Sequence, residues 1–475
     1  MGLGDIDHVV VLMLENRSFD SMLGTLYPRS AQFEGLAGTE SNPDDAGKPV
    51  AVWNSPGTPQ ASMSIPAPDP GEQFTDINMQ LFGTATPGPS AAPTMSGFVR
   101  NYLAQGGSGK PNCQANAVMH HFTPAQLPVL SGLAKAFAVC DHWFASAPCQ
   151  TWPNRFFVHT ATANGYENNT PTHFPYEMAS IFQQLEAKAY PWKVYFHDIP
   201  QSLTLAGLWP HIGNFRLFEE FEKDARSGGL PAYSFIEPRY FSDLALPNDQ
   251  HSPHVVTLGE QLIATVYNAL RAGPQWSKTL LVVTYDEHGG CFDHVPPPAA
   301  VPPGDTPTAP FNFDRYGVRV PAVIVSPFIP PGTILRAPAR STPYDHTSII
   351  ATLRKRFDLG APLTRRDAAA PDLSAVLTLD SPSNDGPANV TALDYAPSPS
   401  EIAAAHMAPL NDHQTALASL AAHLPATMLL GAAHTQSHLE QLRTGAISIE
   451  QKAVRNIAAA THFIKGRLRN LFASL

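Results

Sequence analysis

The chain has 475 residues, more than one simple core usually carries, so one large domain with insertions or an appendage is the first expectation. A net charge of −10 disfavours a nucleic-acid partner, and no window approaches the roughly 18 uninterrupted apolar residues of a transmembrane helix. With 47 prolines and only 15% charged residues, much of the chain should be ordered but irregular loop.

Ile6–Leu14 is an aliphatic run that reads as a strand buried on both faces. It delivers Glu15-Asn16-Arg17-Ser18-Phe19-Asp20 at its tip, where Ser18 or Asp20 is placed to cap a helical turn. The N-terminus has neither a basic stretch nor a long apolar segment, so no signal peptide is expected in the sequence as given. A cytoplasmic protein, one exported without a leader and one whose leader has been removed all fit.

From about 27 to 109 the pattern dissolves into Pro, Gly, Ser, Asp and Thr with isolated aromatics. We read this as a loop-rich insertion lying over the strand ends, anchored by Trp53, Phe74, Met79, Phe82, Phe98 and Tyr102. Thr123-Pro124 is a helix start, with one apolar face at Leu127, Leu130, Leu133, Ala134 and Phe137. Residues 138–145 form a short strand. Thr151 then caps a helix running through His159, with Pro153 in its first turn. A hydroxyl at a helix N-terminus faces free N–H groups and the positive end of the dipole, a site that favours phosphate.

Trp192–His197 and Tyr233–Glu237 are further strands, Val256–Ala272 an amphipathic helix, and Val320–Ser326 one more buried strand. Between them Thr279–Pro298 contains the densest chemistry. A buried run, Leu280–Thr284, ends in Asp286, Glu287, His288, Asp293 and His294, interrupted by Gly289-Gly290. Adjacent carboxylates at such an edge are costly to desolvate unless a cation lies between them. Tyr344–Ser348 opens a helix to Phe357. Alternating strands and helices argue for a mostly parallel sheet with helices on both faces.

After about 375 a Pro/Ser/Asp-rich linker leads to Ala-rich helical patterns at about 401–425 and 433–475. Residues 1–375 are therefore expected to form the main domain, with the acid-tipped strands, and 376–475 a linker and helical appendage. The last helix sets Lys452, Arg455, Lys465, Arg467 and Arg469 beside an apolar face, a candidate for peripheral membrane contact as well as for packing on the protein itself. The four cysteines, Cys113, Cys140, Cys149 and Cys291, form no CxxC pair, so a structural zinc site is not expected.

Set together, Glu15, Asn16, Asp286 and Glu287 are hard oxygen ligands for one divalent metal, and Thr151 is a hydroxyl such a metal could ionise. His121, His197, His251 and His288 are candidates to hold phosphoryl oxygens or protonate a leaving group. That set suits in-line displacement at phosphorus. Calcium, zinc and iron all fit, although an oxygen-rich set leans away from a thiophilic site.

The motifs Ile6–Asp20, Thr151-Trp-Pro-Asn-Arg155, Tyr285-Asp-Glu-His-Gly-Gly290 with Asp293-His-Val-Pro-Pro297, and Tyr344-Asp-His-Thr-Ser348 resemble the bacterial phosphoesterase family. That family includes non-haemolytic phospholipase C and the respiratory-burst-inhibiting acid phosphatase. The resemblance spans about residues 5–360 in matching order. It implies an alkaline-phosphatase-like α/β/α sandwich. It also implies Glu15, Asn16, Asp286 and Glu287 as metal ligands, Thr151 as nucleophile, His251 on phosphate and His288 beside the ligand pair. His121, His197 and Asn154 are expected on phosphate as well. One departure is Gln250-His-Ser-Pro-His254, where the family often has Gln-His-Pro, so either histidine could face phosphate.

The function implied is a metal-dependent phosphoric ester hydrolase, foremost a phospholipase C cleaving a phospholipid through a phosphothreonine. An acid phosphatase on soluble monoesters is the alternative. An inactive phosphate- or lipid-binding protein is disfavoured by the complete ligand set. A sulfatase-like hydrolase is disfavoured because position 151 is neither Cys nor Ser.

Overall fold

The computed structural model describes residues 2–57, 60–88, 90–106, 113–170, 176–243, 245–304, 311–424 and 456–472. Among the described residues eight strands form the central sheet: β1 (His8–Leu14), β2 (Ala138–Cys140), β3 (Trp192–Phe196), β4 (Phe215–Leu217), β5 (Tyr233–Glu237), β6 (Thr279–Tyr285), β7 (Ala322–Val325) and β8 (Thr333–Leu335). Their spatial order is β8-β2-β7-β6-β1-β5-β3-β4. Neighbours run parallel throughout, except that β7 is antiparallel to both β6 and β2.

The centre of the sheet places the site. β1 and β6 pair in register from His8 opposite Thr279 to Leu14 opposite Tyr285. The next residue on each strand is therefore Glu15 on one and Asp286 on the other. Every residue of β6 is buried, which is why its sequence shows no polar alternation. Helices flank the sheet in two groups. Pro128–Ala136, Phe218–Ser227 and Val256–Ala272 pack together, and Thr151–Thr160, Ile181–Ala187, Thr347–Phe357 and Arg365–Ala369 form the other group. The result is the expected α/β/α arrangement.

Several local expectations change. The helix foreseen at Thr123-Pro124 begins at Pro128, because the Thr123 backbone and hydroxyl both bind the Gln126 side chain and close a turn first. The span 138–145 is two strands. β2 joins the main sheet, and Trp143–Phe144 pairs separately with Tyr344–Asp345. The insertion is more ordered than its composition suggests. It contains a small hairpin (Ser41–Pro43 with Pro49–Ala51) and two helices, Phe74–Phe82 and Phe98–Gln105. Ile77, Leu81, Phe98, Val99 and Tyr102 give it a core of its own.

The C-terminal helices are present but are not a separate body. Leu417 and Leu420 of Asp412–His423, and Ile457, Ile464 and Leu468 of Ile457–Phe472, belong to the main core. Lys465 pairs with Asp243, and Arg467 donates to the Ala421 and Ala422 carbonyls at the end of the neighbouring helix. The rest of the foreseen 433–475 helix, with Lys452 and Arg455, lies outside the described residues. Among the described residues no helix is long and apolar enough to cross a membrane. All four cysteines are buried and no disulfide joins them.

Candidate active site

At the tip of β1, Asn16 adopts a left-handed backbone (φ 53°), a conformation Asn tolerates better than most residues. The turn lets its N–H donate to Asp286 Oδ1 at 3.1 Å, and the Glu287 N–H donates to the same oxygen at 2.8 Å. Gly289 (φ 59°) passes so close to the Asn16 carbonyl that a Cβ there would collide with it. The glycine pair is thus needed where the two acid-bearing tips cross.

The third element is the helix Thr151–Thr160. Gln150 is its N-cap and Thr151 its first residue, so Thr151 does not cap it as foreseen. Its hydroxyl is instead turned to the strand tips, donating toward Glu15 Oε2 at 3.3 Å and Asn16 Oδ1 at 3.5 Å. Asn154 holds the loop before it. Its amide donates to the carbonyls of Ala147, Cys149 and Gln150, and its oxygen accepts from the Ala147 N–H. One turn along from Thr151, Arg155 donates to Glu15 Oε1 at 2.5 Å and sets its Nε 3.6 Å from Asp286 Oδ2. Gln201 donates to Glu15 Oε1 at 2.7 Å.

Glu15, Asn16, Thr151, Asp286 and Glu287 are all buried. Burial first, and then the neighbouring Asp286, push Glu15 well above the usual carboxylate range despite Arg155. Burial, followed by Glu72 and Asp286, does the same to Glu287. Among the described residues Asp286 Oδ2, Glu287 Oε1 and Glu72 Oε1 have no hydrogen-bond partner. Buried, unsatisfied, mutually repelling oxygens are what a hard divalent cation would neutralise, so the residues fit such a cation.

His251 lines the same cluster. Its Nδ1–H donates to the Ser252 carbonyl at 2.6 Å, while Nε2 lies 3.5 Å from Glu72 Oε2. Burial opposes its protonation, but Asp69 and Glu72 outweigh burial and hold its pKa well above the ordinary value. His254 turns away to Asp249 at 2.7 Å, so of the two histidines in the 250–254 motif His251 faces the cluster.

Residues 6–360 match the Phosphoesterase family. The chain is 40% identical over 413 residues to non-specific phospholipase C3 of Arabidopsis thaliana, covering 82% of this chain and 77% of that one. It is 27% identical over 460 residues to phospholipase C A of Mycobacterium tuberculosis, covering 82% and 80%. The chain belongs to the Phosphoesterase family. It is a phosphoric ester hydrolase, and its kin are plant as well as mycobacterial enzymes. Among solved structures, an alkaline phosphatase superfamily protein from Vibrio parahaemolyticus aligns with a TM-score of 0.32 and 13% identity, over 51% of this chain and 64% of that one.

In this phosphoesterase the other histidines take varied places. His288 lies beside Glu287, with Nδ1 3.1 Å from Oε2, and donates through Nε2 to Gln80 of the insertion at 2.7 Å. Burial pushes it down to about 3, so it stays neutral. His121 is held near Trp53, its backbone N–H on the Trp53 carbonyl, and interacts electrostatically with Asp20 and Glu40 rather than with the Thr151 cluster. His197 stacks on Phe218 at 4.3 Å and lines a separate cavity of about 800 Å³ with Arg239, Phe241 and Lys465.

Several residues of the site escaped the sequence reading. Asp69, Glu72 and Gln80 come from the insertion, where only composition and isolated aromatic or Met anchors were legible. Arg155 and His346 stood inside quoted motifs without a role. His346 accepts from Trp143 Nε1 and donates through Nε2 to the Asp286 carbonyl at 2.6 Å, fixing the β6 tip. His413, from the C-terminal region, had no signal at all. Conversely Asp293 and His294 separate from Asp286 and Glu287. With Asp20 they surround Arg319, which donates to Asp20 Oδ1 at 2.9 Å and to Asp293 Oδ1 at 2.9 Å.

Proposed function

We propose that this phosphoesterase is a phospholipase C that releases diacylglycerol and a phosphorylated headgroup through a phosphothreonine at Thr151. The observation that carries this is the Thr151 hydroxyl, buried at a helix N-terminus and 3.3 Å from Glu15 Oε2. The kinship with proteins named phospholipase C supports the substrate class.

Thr151 Oγ1 attacks phosphorus and loses its proton to solvent water, while Glu15 Oε2, 3.3 Å away, stays among the oxygens of the cation set. The bond to the diacylglycerol oxygen breaks, and that oxygen takes a proton from His251, whose positive charge Asp69 and Glu72 sustain. The first N–H groups of the Thr151 helix and the Arg155 guanidinium stabilise the developing negative charge. His251, now neutral, accepts a proton from the water that attacks phosphothreonine, the bond from phosphorus to Thr151 Oγ1 breaks, and Oγ1 takes a proton from solvent water as the phosphorylated headgroup leaves. The oxygens of Glu15, Asn16, Asp286 and Glu287, with Thr151, are the set that would hold a divalent cation. Bound there, the cation supplies charge that lowers the Thr151 hydroxyl pKa and steadies the phosphoryl oxygens. An all-oxygen set suits a hard cation.

The test is product identity. With phosphatidylcholine, phosphatidylethanolamine and a soluble phosphomonoester as separate substrates, diacylglycerol release from the lipids supports the reading. Inorganic phosphate from the monoester alone makes the protein a phosphatase instead.

A further inference from the structure

The helix Asp412–His423 lies more than fifty residues beyond the end of the family match, yet its first turn enters the site. Asn411 and Gln414 tie the helix start. The Asn411 side chain accepts from the Gln414 N–H at 2.7 Å, and the Gln414 amide donates to the Tyr240 carbonyl at 2.8 Å. Between them His413 is pressed into the cluster. One face of its ring stacks on His251, with centroids 5.8 Å apart and planes 12° from parallel, and Tyr240 meets it edge-on at 5.2 Å. Its Nδ1 is 3.8 Å from Glu15 Oε2, the same oxygen that Thr151 faces.

Two features separate this ring from a merely packed one. Its side chain is 1% exposed, yet Nε2 has no hydrogen-bond partner among the described residues. A phenyl ring would make the same ring contacts without burying an unpaired nitrogen, so packing alone does not account for histidine here. The ring also stands among the groups that flank Thr151, stacked on His251 and beside the Glu15 oxygen that the Thr151 hydroxyl faces. An imidazole nitrogen so placed can donate a hydrogen bond to a phosphoryl oxygen.

We propose that His413 contacts the substrate, donating a hydrogen bond through Nε2 to a non-bridging oxygen of the phosphoryl group held between Thr151 and His251. The active site is then completed by a residue from the C-terminal region. This rests on the phosphoesterase reading given above.

The test uses the full-length, metal-replete protein and three substitutions. His413→Phe keeps the ring contacts and removes both nitrogens. His413→Ala opens room for added imidazole. Leu417→Ala disturbs the packing of the same helix, since Leu417 is fully buried, without touching the cluster. Binding of inorganic phosphate is measured by calorimetry, and turnover is measured on a soluble aryl phosphodiester. Both His413 variants are expected to bind phosphate and turn over roughly ten- to a hundredfold more weakly, the range of one hydrogen bond to a charged group. Imidazole should restore part of the His413→Ala turnover. Leu417→Ala should lower the melting temperature while leaving phosphate affinity and turnover within about twofold of wild type. Wild-type phosphate affinity in His413→Phe, or an equal loss in Leu417→Ala at a temperature where it is folded, overturns the proposal. Wild-type protein that hydrolyses no phosphoester defeats the functional reading by itself, and the phosphate titrations still decide what His413 touches.

Discussion

Asp286 and Asp293 stand on one loop, both fully buried, each beside a second carboxylate and followed closely by a histidine. Around Asp293 every demand is met. Arg319 bridges it to Asp20, the Val295 and Asp20 N–H groups donate to its two oxygens, and His294 donates to Asp20 at 2.6 Å. Around Asp286 the demands are left open. Its Oδ2 and Glu287 Oε1 have no hydrogen-bond partner among the described residues, and Arg155 is shared with Glu15. Similar residue types therefore make a satisfied brace in one place and an unsatisfied cluster in the other. What separates them is whether the protein itself satisfies the buried charge.

The largest expected effect falls on the brace. Arg319→Met leaves Asp20 and Asp293 buried without their cation, and should cost about 3–5 kcal/mol in denaturant unfolding. Bound metal per folded molecule should not change. A metal lost with Arg319 would mean that the brace is itself an ion site and would erase the distinction.

Asp286→Asn should act the other way. Turnover is expected to fall roughly 10²–10³-fold, as for other losses of preorganised charge at a reacting centre. Metal content by mass spectrometry should fall with it. After chelation the variant should unfold no more easily than wild type, because one repelling carboxylate is gone. Marked destabilisation of the chelated Asp286→Asn protein would place Asp286 in the same structural class as Asp293.

A smaller effect sharpens the criterion. His159 Nδ1 is also buried and, among the described residues, without a hydrogen-bond partner or an ion-paired carboxylate, lying between Phe182 and Phe235. Burial, then Arg155, holds the ring down to about 3. The unfolded chain binds a proton below about 6.5 and the native state does not, so this contribution to stability is lost as pH falls. Between pH 7 and 5 the loss is about 2 kcal/mol. His159→Phe should flatten the decline by that amount, read as the difference between two unfolding series, while keeping turnover. An orphaned atom marks a site only where others converge on it.

Long buried runs made much of the fold legible. β1, β5, β6 and the helix Val256–Ala272 lie within a residue or two of where apolar runs and periodicity put them. The reversal of β7 was not legible, because a strand buried on both faces reads the same in either direction. The insertion helices were hidden by their brevity and by a Pro- and Gly-rich setting. In the site, the strand tips and Thr151 were legible because chain order and motif spacing carry them. Asp69, Glu72 and His413 were not, since each reaches the cluster only through tertiary packing of a segment whose own pattern is unremarkable.

The central claim is that Thr151 takes the phosphoryl group. Wild-type protein quenched in acid within milliseconds of mixing with phosphorus-labelled substrate, then digested and mapped, tests it most directly. The account requires label on the peptide containing Thr151, appearing before product and absent from Thr151→Val. Unlabelled protein during turnover, together with near wild-type rates in Thr151→Val, would mean that water attacks phosphorus directly and that Thr151 is only the first residue of a helix.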